Sequence, residues 1–299
     1  MTPTDPNPIC VTGGAGFCGV HLVRRLLGAG RVVSVLDDLS APSDLSLPSW
    51  PAVRCVVGDV RDERALGIAA ADAGTVLHLA SVVGVEAVTA DPERTGSVIR
   101  EGTARVVEWA RAHGARVIAF STSEVTDTER QGPRAVYAEA KRDAEALLLA
   151  AGDDIPVTIV RPFNVVGPGQ SAPGMVLPAL ARAARVGAAL PVHGDGRQER
   201  SFLHVDDLCD AVLGLLDVPS PAGGEVLEVG SEERVPIGEV AARLAALAGG
   251  ASRPAVVDAH PQREDRPRRA PDLTALRRRV RFAPRRDLDA ILREALVVA

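Results

Sequence analysis

A short apolar segment near the start of the chain runs directly into a glycine-rich turn. Residues 9–12 are typical of a buried strand, residues 20–28 are typical of a helix, and glycines occupy positions 13, 16 and 19. Such glycines permit a tight turn, close backbone approach to a phosphate and close packing of helix on strand. The free N–H groups of a helix N-terminus favour a pyrophosphate. This arrangement predicts the first unit of a dinucleotide-binding sheet.

The next predicted strand, residues 32–36, is followed by Asp37 and Asp38. A carboxylate at this position binds the hydroxyls of an adenosine ribose and repels a 2′-phosphate. The sequence therefore predicts NAD rather than NADP as the cofactor. Asp59, after the third predicted strand, either caps the next helix or lies near the adenine. His78, at the end of the fourth, is expected to pack rather than to catalyse.

Strand and helix patterns alternate along the rest of the chain, which predicts an α/β fold with a Rossmann-type, doubly wound parallel sheet. Further strands are expected at residues 53–57, 75–79, 115–120, 155–160 and 226–229, and helices at residues 92–113, 135–150, 175–186 and 237–247. The composition shifts after residue 166. We expect an NAD-binding domain from residues 1–165 plus about 202–232. A smaller C-terminal substrate-binding α/β part would comprise about 166–201 plus 233–299.

The composition argues against several other classes of protein. The 299 residues carry a net charge of −5, which gives no reason to expect a nucleic-acid partner. No apolar run approaches the length of a membrane span, and the N-terminus is polar, so neither a membrane partner nor a signal peptide is expected. The four cysteines show neither metal-ligand spacing nor a disulfide framework. We therefore expect reduced thiols, no metal and a cytoplasmic location.

The chain has one tyrosine, Tyr137, and one lysine, Lys141, four residues apart in a predicted helix. This spacing places both side chains on one helical face. A phenol has a pKa of about 10, and an ammonium at about 4 Å supplies roughly the interaction needed for it to act as a base near pH 7. A polar cluster, residues 121–124, ends the fifth predicted strand, at the sheet edge where ligands bind. The alternatives are an exposed helical pair and a capping cluster.

Together these features resemble the extended short-chain dehydrogenase/reductases, the NAD-dependent epimerase/dehydratase family, whose members modify nucleotide sugars. The resemblance covers nearly the whole chain. Besides the features above, it rests on the segments Gly58-Asp59-Val60, His78-Leu79-Ala80-Ser81, Arg161-Pro162-Phe163-Asn164 with Gly167-Pro168, and Gly194-Asp195-Gly196 with Gln198, Arg200 and Phe202. Residues 121–125 and 132–145 are most similar to UDP-glucuronate decarboxylases. Residues 121–125 are also similar to GDP-mannose 4,6-dehydratases.

The resemblance implies roles for individual residues. Thr122 would bind the sugar O4, Tyr137 would be the base, and Lys141 would tune it and hold the nicotinamide ribose. Ser123 and Glu124 would act near C5 and C6 of the sugar. The implied substrate ligands are Asn164, Arg200 and Arg269. The implied cofactor contacts are Gly13, Ala15, Gly16, Phe17, Cys18, Asp37, Asp38, Asp59, Val60, Leu79, Ala80, Ser81, Tyr137 and Lys141.

The favoured activity is that of a lyase that decarboxylates UDP-glucuronate by oxidation at C4, loss of CO₂ and reduction to UDP-xylose. A 4-epimerase or a dehydratase on the same scaffold is the alternative, and a non-catalytic NAD-binding protein is a third hypothesis. The family also implies a homodimer formed through the helices at residues 92–113 and 135–150.

The chain departs from the decarboxylases in three places. Thr126 and Asp127 replace the usual Tyr-Gly, the segment 125–134 is shorter, and Ile99 replaces an asparagine. We expect weaker enclosure of the sugar and therefore some release of a 4-keto product.

Overall fold

The computed structural model describes residues 8–41, 43, 45–47, 53–128, 132–170, 175–250, 253–258 and 270–297. The strands are β1 (Ile9–Thr12), β2 (Val33–Asp37), β3 (Arg54–Val57), β4 (Thr75–His78), β5 (Arg116–Phe120), β6 (Val157–Pro162), β7 (Val165–Val166), β8 (Leu190–His193), β9 (Glu199–Arg200), β10 (Leu203–His204), β11 (Glu225–Val229), β12 (Val235–Pro236) and β13 (Pro254–Asp258). The helices are α1 (Phe17–Gly28), α2 (Glu63–Ala70), α3 (Val85–Ala90), α4 (Pro92–His113), α5 (Pro133–Ala150), α6 (Val176–Arg185), α7 (Val205–Leu216), α8 (Ile237–Leu247), α9 (Thr274–Arg279) and α10 (Leu288–Val297).

The main sheet has seven strands in the order β11-β6-β5-β4-β1-β2-β3. Every pair of neighbours in it is parallel. The order reverses between β1 and β4, so a crevice opens at the carboxyl ends of these two strands, where such sheets bind ligands. The predicted doubly wound α/β fold is therefore confirmed.

Alternate residues of the central strands pack on opposite faces of this sheet, as the pleat requires. In β1, Ile9 and Val11 belong to one core cluster and Cys10 to the other. Helices α1, α7 and α9 cover the first face, and α2, α4 and α5 cover the second. Because both faces are covered, the central strands are continuously apolar.

The ends of two helices show why the elements begin and end where they do. The Asp91 carboxylate caps α4 by accepting from the Arg94 N–H, and Pro92 fills the first helical position, where its missing N–H has no consequence. Gly114 ends α4 in the left-handed region, with φ of 62°. The bounds of α4 and α8 match the predicted ones, whereas α1 begins at Phe17 rather than at residue 20. The sequence did not predict α2 or α3.

A second packed group follows the sixth strand and contains α6, β8, α8 and α10. Its core has the fully buried leucines Leu180, Leu190, Leu244 and Leu292. Strand β13 pairs with β8, and β12 pairs with β9. Short pairing of β7 with β10 joins this group to the end of the main sheet. Among the helices that the structure describes, none combines the length and apolar character of a membrane span.

Candidate active site

The turn between β1 and α1 is closed on one side and open on the other. Gly13 has a φ of +72°, and a Cβ added there would lie 2.7 Å from the Ala80 nitrogen. A Cβ on Gly19 would overlap the Gly13 carbonyl oxygen. A Cβ added at Gly16, the N-cap of α1, would have the Gly13 carbonyl oxygen as its nearest atom, at an ordinary contact distance of 3.4 Å. This open helix N-terminus fits a pyrophosphate, flanked by Ala15, Phe17 and Cys18.

The Asp37 carboxylate is held against this turn. One oxygen accepts from the Ala15 N–H at 2.9 Å and the other from the Leu39 N–H at 2.8 Å. Burial raises the pKa of Asp37, and these backbone hydrogen bonds oppose the rise. The carboxylate is therefore fixed at the carboxyl end of β2, where an adenosine ribose would lie in a Rossmann-type sheet.

Two arginines that the sequence did not single out pair with the neighbouring carboxylates. Arg94 of α4 donates to Asp38 at 2.9 Å. Arg61 donates to Asp59 at 2.6 Å and holds the pKa of that carboxyl below its usual value. Asp62, rather than Asp59, caps α2. Of the two alternatives for Asp59, helix capping is therefore excluded.

The loop after β4 forms the opposite wall of the crevice. The Leu79 N–H donates to the Thr12 carbonyl at 3.0 Å, and the Ala80 N–H approaches the Thr12 hydroxyl at 3.4 Å. Ser81 is half-buried beyond them. Val60 lies under α4, because a Cβ on Gly102 would come within 2.6 Å of its methyl group.

His78 is a buried, neutral side chain below this wall. Thr103 donates its hydroxyl proton to the Ile99 carbonyl, so it accepts from Nε2–H of His78, with an N–O distance of 3.2 Å. Nδ1 therefore accepts from the Thr12 hydroxyl at 2.8 Å. Burial, with a further effect from Lys141, lowers the pKa of His78 to about 3. The side chain packs and orders the wall, as the sequence predicts.

Tyr137 and Lys141 lie one turn apart on α5, and both are buried. The Lys141 ammonium donates to the Phe120 carbonyl at the end of β5 at 2.7 Å, and burial lowers its pKa to about 8. Thr122 hydrogen-bonds with the Tyr137 phenol. Burial first, and then the Glu124 charge, raise the pKa of this phenol. The protein's own groups thus raise this pKa, whereas the Tyr–Lys spacing had suggested that Lys141 would lower it.

The polar cluster after β5 forms a 3₁₀ turn over Ser123–Thr126. The Thr122 hydroxyl caps the turn by accepting from the Glu124 N–H at 3.2 Å. Arg134, in the first turn of α5, forms an ion pair with Glu124. The Ser123 carbonyl accepts from the Thr126 hydroxyl. The structure therefore brings together four of the predicted catalytic residues, Thr122, Glu124, Tyr137 and Lys141, on two adjoining elements, with Ser123 buried in the same turn.

The Glu145 carboxylate lies one helical turn beyond Lys141 on α5. Glu145 raises the pKa of the Lys141 ammonium, opposing the effect of burial. Arg161 of β6 donates from Nε to Glu145 at 2.8 Å. A cavity of about 10 Å³ beside Lys141 and Glu145 reaches the Ser121 hydroxyl, which is buried and has no hydrogen-bond partner among the described residues. This space is about the size of one water molecule.

The predicted substrate ligands lie toward the second packed group. Asn164 has a positive φ of 38°, and its amide donates to the Ser201 carbonyl at 2.8 Å. Arg200 is in β9, and its guanidinium donates to the Glu199 carbonyl. Arg269 lies outside the described residues. Sequence reasoning missed Arg134 and Glu145, although each is a helical neighbour of a predicted residue at a spacing of three or four.

Comparisons with known proteins agree with this geometry. The model of the NAD dependent epimerase/dehydratase family matches residues 9–230. A UDP-N-acetyl-alpha-D-glucosaminuronate decarboxylase from Bacillus cytotoxicus is 30% identical, over 96% of this chain and 95% of that protein. UDP-glucuronic acid decarboxylase 1 from Danio rerio is 29% identical, over 91% and 68%.

A solved structure is similar over the same length. It is that of an NAD dependent NDP-hexosamine 5,6-dehydratase, TunA, involved in tunicamycin biosynthesis. Its TM-score is 0.82 at 28% identity, covering 97% of this chain and 96% of that one. The family match spans the glycine turn, the Asp37 carboxylate and the Tyr137–Lys141 helix. The chain therefore belongs to the NAD dependent epimerase/dehydratase family, and its cofactor is NAD.

Proposed function

We propose that this protein is a lyase that decarboxylates a nucleotide uronate, with UDP-glucuronate as the favoured substrate. The observation that carries the proposal is the buried Glu124 carboxylate, paired with Arg134 beside Tyr137 and Thr122. A 4-epimerase needs no carboxylate at this position. The similarity to two proteins named as uronate decarboxylases supports the same reaction.

The crevice residues would hold the cofactor in a defined orientation. The helix N-terminus at Gly16 would bind the pyrophosphate, Asp37 the adenosine ribose, and Lys141 the nicotinamide ribose. NAD held there would supply reversible hydride transfer at C4 of the sugar, and the positive charge of its oxidised nicotinamide would offset the burial that raises the pKa of Tyr137.

Tyr137 would take the proton from the sugar O4, and Thr122 would orient the phenol oxygen of Tyr137 and the sugar O4. Oxidation places a ketone β to the C6 carboxylate. The C5–C6 bond then breaks, CO₂ leaves, and the electron pair becomes an enolate at C4 and C5. Protonation of C5 and return of hydride to C4 complete the conversion of UDP-glucuronate and one proton to UDP-xylose and CO₂.

We also propose how the chain divides between the two ligands. Residues 1–165 and about 202–232 would form the NAD-binding domain, because they contain the main sheet and all of its covering helices except α9. The remaining residues, about 166–201 and 233–299, would bind the nucleotide sugar through Arg200 and Arg269, together with Asn164 at the end of the NAD-binding domain. A homodimer and a cytoplasmic location remain predictions from the sequence.

The test is incubation of the purified protein with UDP-glucuronate, its N-acetylglucosaminuronate analogue and UDP-glucose, followed by mass analysis of the products. We expect loss of CO₂ from a uronate and no change in UDP-glucose. Loss of water would instead indicate a dehydratase, a second candidate because Glu124 is placed to act as a base. An unchanged mass with inverted C4 would indicate an epimerase and would contradict the proposal.

A further inference from the structure

We propose that Arg134 recognises the C6 carboxylate of the substrate and so selects a uronate over a neutral hexose. This inference rests on the proposed function, since it assigns the residue that binds the C6 carboxylate, the group that leaves as CO₂. It differs from the roles given above to Asn164, Arg200 and Arg269, which concern the nucleotide diphosphate and the sugar as a whole.

Arg134 lies in the first turn of α5, three residues before Tyr137 and on the same helical face. Its Nη2 pairs with one oxygen of Glu124. Its Nε is buried and has no hydrogen-bond partner among the residues that the structure describes. A buried donor of this kind is unfavourable unless a ligand or water satisfies it.

The Arg134 charge lies near the Tyr137 phenol, where the C4 end of the sugar would bind. Arg134 lowers the pKa of the Tyr137 phenol and Glu124 raises it, so both charges act on the atom expected to contact O4. C6 is attached to the ring carbon next to C4. A sugar with O4 at Tyr137 therefore places its C6 substituent close to the Arg134–Glu124 pair.

The guanidinium group has the donors that a second carboxylate needs. It presents five N–H donors in a rigid fork, and Glu124 contacts it through one nitrogen. A uronate carboxylate would be repelled by Glu124 unless a cation lay between them. Arg134 is that cation, and its unused Nε can complete a charged hydrogen bond to the substrate. The neutral hydroxymethyl group of a hexose offers no such compensation.

Arg142 provides a matched control on the same helix. It donates to the backbone carbonyls of Val125 at 3.2 Å and Asp127 at 3.4 Å, and so also holds the 3₁₀ turn against α5. Its Nη1 is directed to the backbone rather than to Glu124. Loss of Arg142 therefore tests whether a general loosening of the turn changes substrate preference.

The experiment measures binding of UDP-glucuronate, UDP-glucose and UDP to the NAD-loaded protein by calorimetry. Arg134→Met should reduce the preference for UDP-glucuronate over UDP-glucose by about 10- to 100-fold, the range for a hydrogen bond to a charged group. Affinity for UDP should stay unchanged. Arg134→Lys, which keeps the charge but loses the fork, should show a smaller reduction, and Arg142→Met should keep the preference.

The double variant Arg134→Met/Glu124→Gln distinguishes direct binding of the substrate carboxylate by Arg134 from simple neutralisation of the Glu124 charge. If Arg134 only neutralises Glu124, removal of both charges restores the preference for UDP-glucuronate, and that result overturns the inference. If Arg134 binds the carboxylate, the preference stays lost. A preference retained in all Arg134 variants overturns the inference alone, whereas wild-type protein without any preference for a uronate overturns the proposed function as well.

Discussion

At the scale of single residues, the site depends on side chains whose ionisation is set by burial. His78 is held neutral by burial, with a pKa of about 3. Lys141 has a pKa of about 8, so it remains largely protonated near neutral pH. Tyr137 is protonated until an additional positive charge reaches it, because burial and Glu124 both raise its pKa. The protein alone therefore holds the base in its neutral form.

Replacement of Tyr137 by phenylalanine tests the assignment of the base. Tyr137→Phe should lower the rate of sugar oxidation by about 10²- to 10⁴-fold, the usual effect of losing a positioned general base. NAD affinity should change little, because the ring remains in place and Lys141 keeps its contact with Phe120. Stopped-flow absorbance at the NADH band measures the rate, and fluorescence titration measures the affinity. Near-normal turnover would show that another group removes the proton.

Asp37 should make the protein prefer NAD to NADP. A 2′-phosphate would meet the Asp37 carboxylate, whose oxygens are already committed to backbone N–H groups. Asp37→Asn should reduce this preference by about tenfold, because 1.4 kcal/mol of relieved repulsion corresponds to that factor. Titration with both cofactors measures it. Asp72→Asn, at an exposed carboxylate after α2, is the control. Equal affinity of the wild-type protein for both cofactors would contradict the prediction.

His78 should make the fold sensitive to acid. Its pKa is about 3 in the folded protein and near 6.5 in the unfolded chain, so the unfolded state binds more protons between these values. Stability is therefore lost as the pH falls below 6.5, by about 2 kcal/mol at pH 5. Urea denaturation of the wild type and of His78→Asn should show a flatter acid limb in the variant. His193→Asn, at an exposed position, should keep the wild-type slope; identical slopes in all three proteins would exclude His78 as the cause.

At the scale of elements, α5 presents four functional side chains along one face. Arg134, Tyr137, Lys141 and Glu145 recur at intervals of three or four residues, so each lies over the next. A cation, the neutral phenol, a second cation and a carboxylate follow one another along this face, and Arg161 of β6 pairs with the carboxylate at its far end. The helix thereby holds the Lys141 ammonium between the Tyr137 phenol and the Glu145 carboxylate.

The Glu145 charge should set the pH at which Lys141 loses its proton. Glu145→Gln removes the charge that raises the pKa of Lys141, so that pKa should fall below about 8. The alkaline limb of the kcat/KM profile should move to lower pH with it. Asp143→Asn, an exposed carboxylate on α5 paired with Arg100, is the control and should leave the limb in place. A limb that does not move in Glu145→Gln would show that Lys141 does not control it.

At the scale of the whole molecule, the ends of β1, β2, β4 and β5 meet at one edge of the sheet. The second packed group begins where the chain leaves β6, next to Asn164. Between β5 and α5 the chain is short, at residues 125–134, and Arg142 of α5 donates to the carbonyls of Val125 and Asp127 at its start. Loops that cover a site commit an intermediate to reaction.

This short segment should allow the oxidised intermediate to escape. After CO₂ leaves, the 4-keto pentose must stay beside the reduced cofactor until hydride returns. We expect a mixture of UDP-xylose and UDP-4-keto-xylose from UDP-glucuronate, with turnover increased by added NAD. NMR of the products and absorbance of bound NADH, followed together, measure the partition. Clean conversion to UDP-xylose with no reduced cofactor remaining would show that the segment closes the site.

The sequence by itself determined the sheet, the NAD turn, Asp37 and the register of Tyr137 with Lys141. Each of these depends on local periodicity or on a backbone position that only glycine tolerates, and both can be read from neighbouring residues. Helices α2 and α3 were missed because, at eight and six residues, they are too short for the helical period to repeat clearly. The Phe17 start of α1 was missed because Gly16, its N-cap, resembles a continuation of the turn.

Only the tertiary structure decided which charges meet. Arg134 with Glu124, Arg161 with Glu145, and Arg94 with Asp38 are pairs between different elements, and no local pattern specifies their partners. The direction in which the pKa of Tyr137 moves was decided in the same way. The Tyr–Lys spacing identifies a neighbouring positive charge, but burial and the approach of Glu124 from another element raise the pKa of Tyr137 in the folded protein.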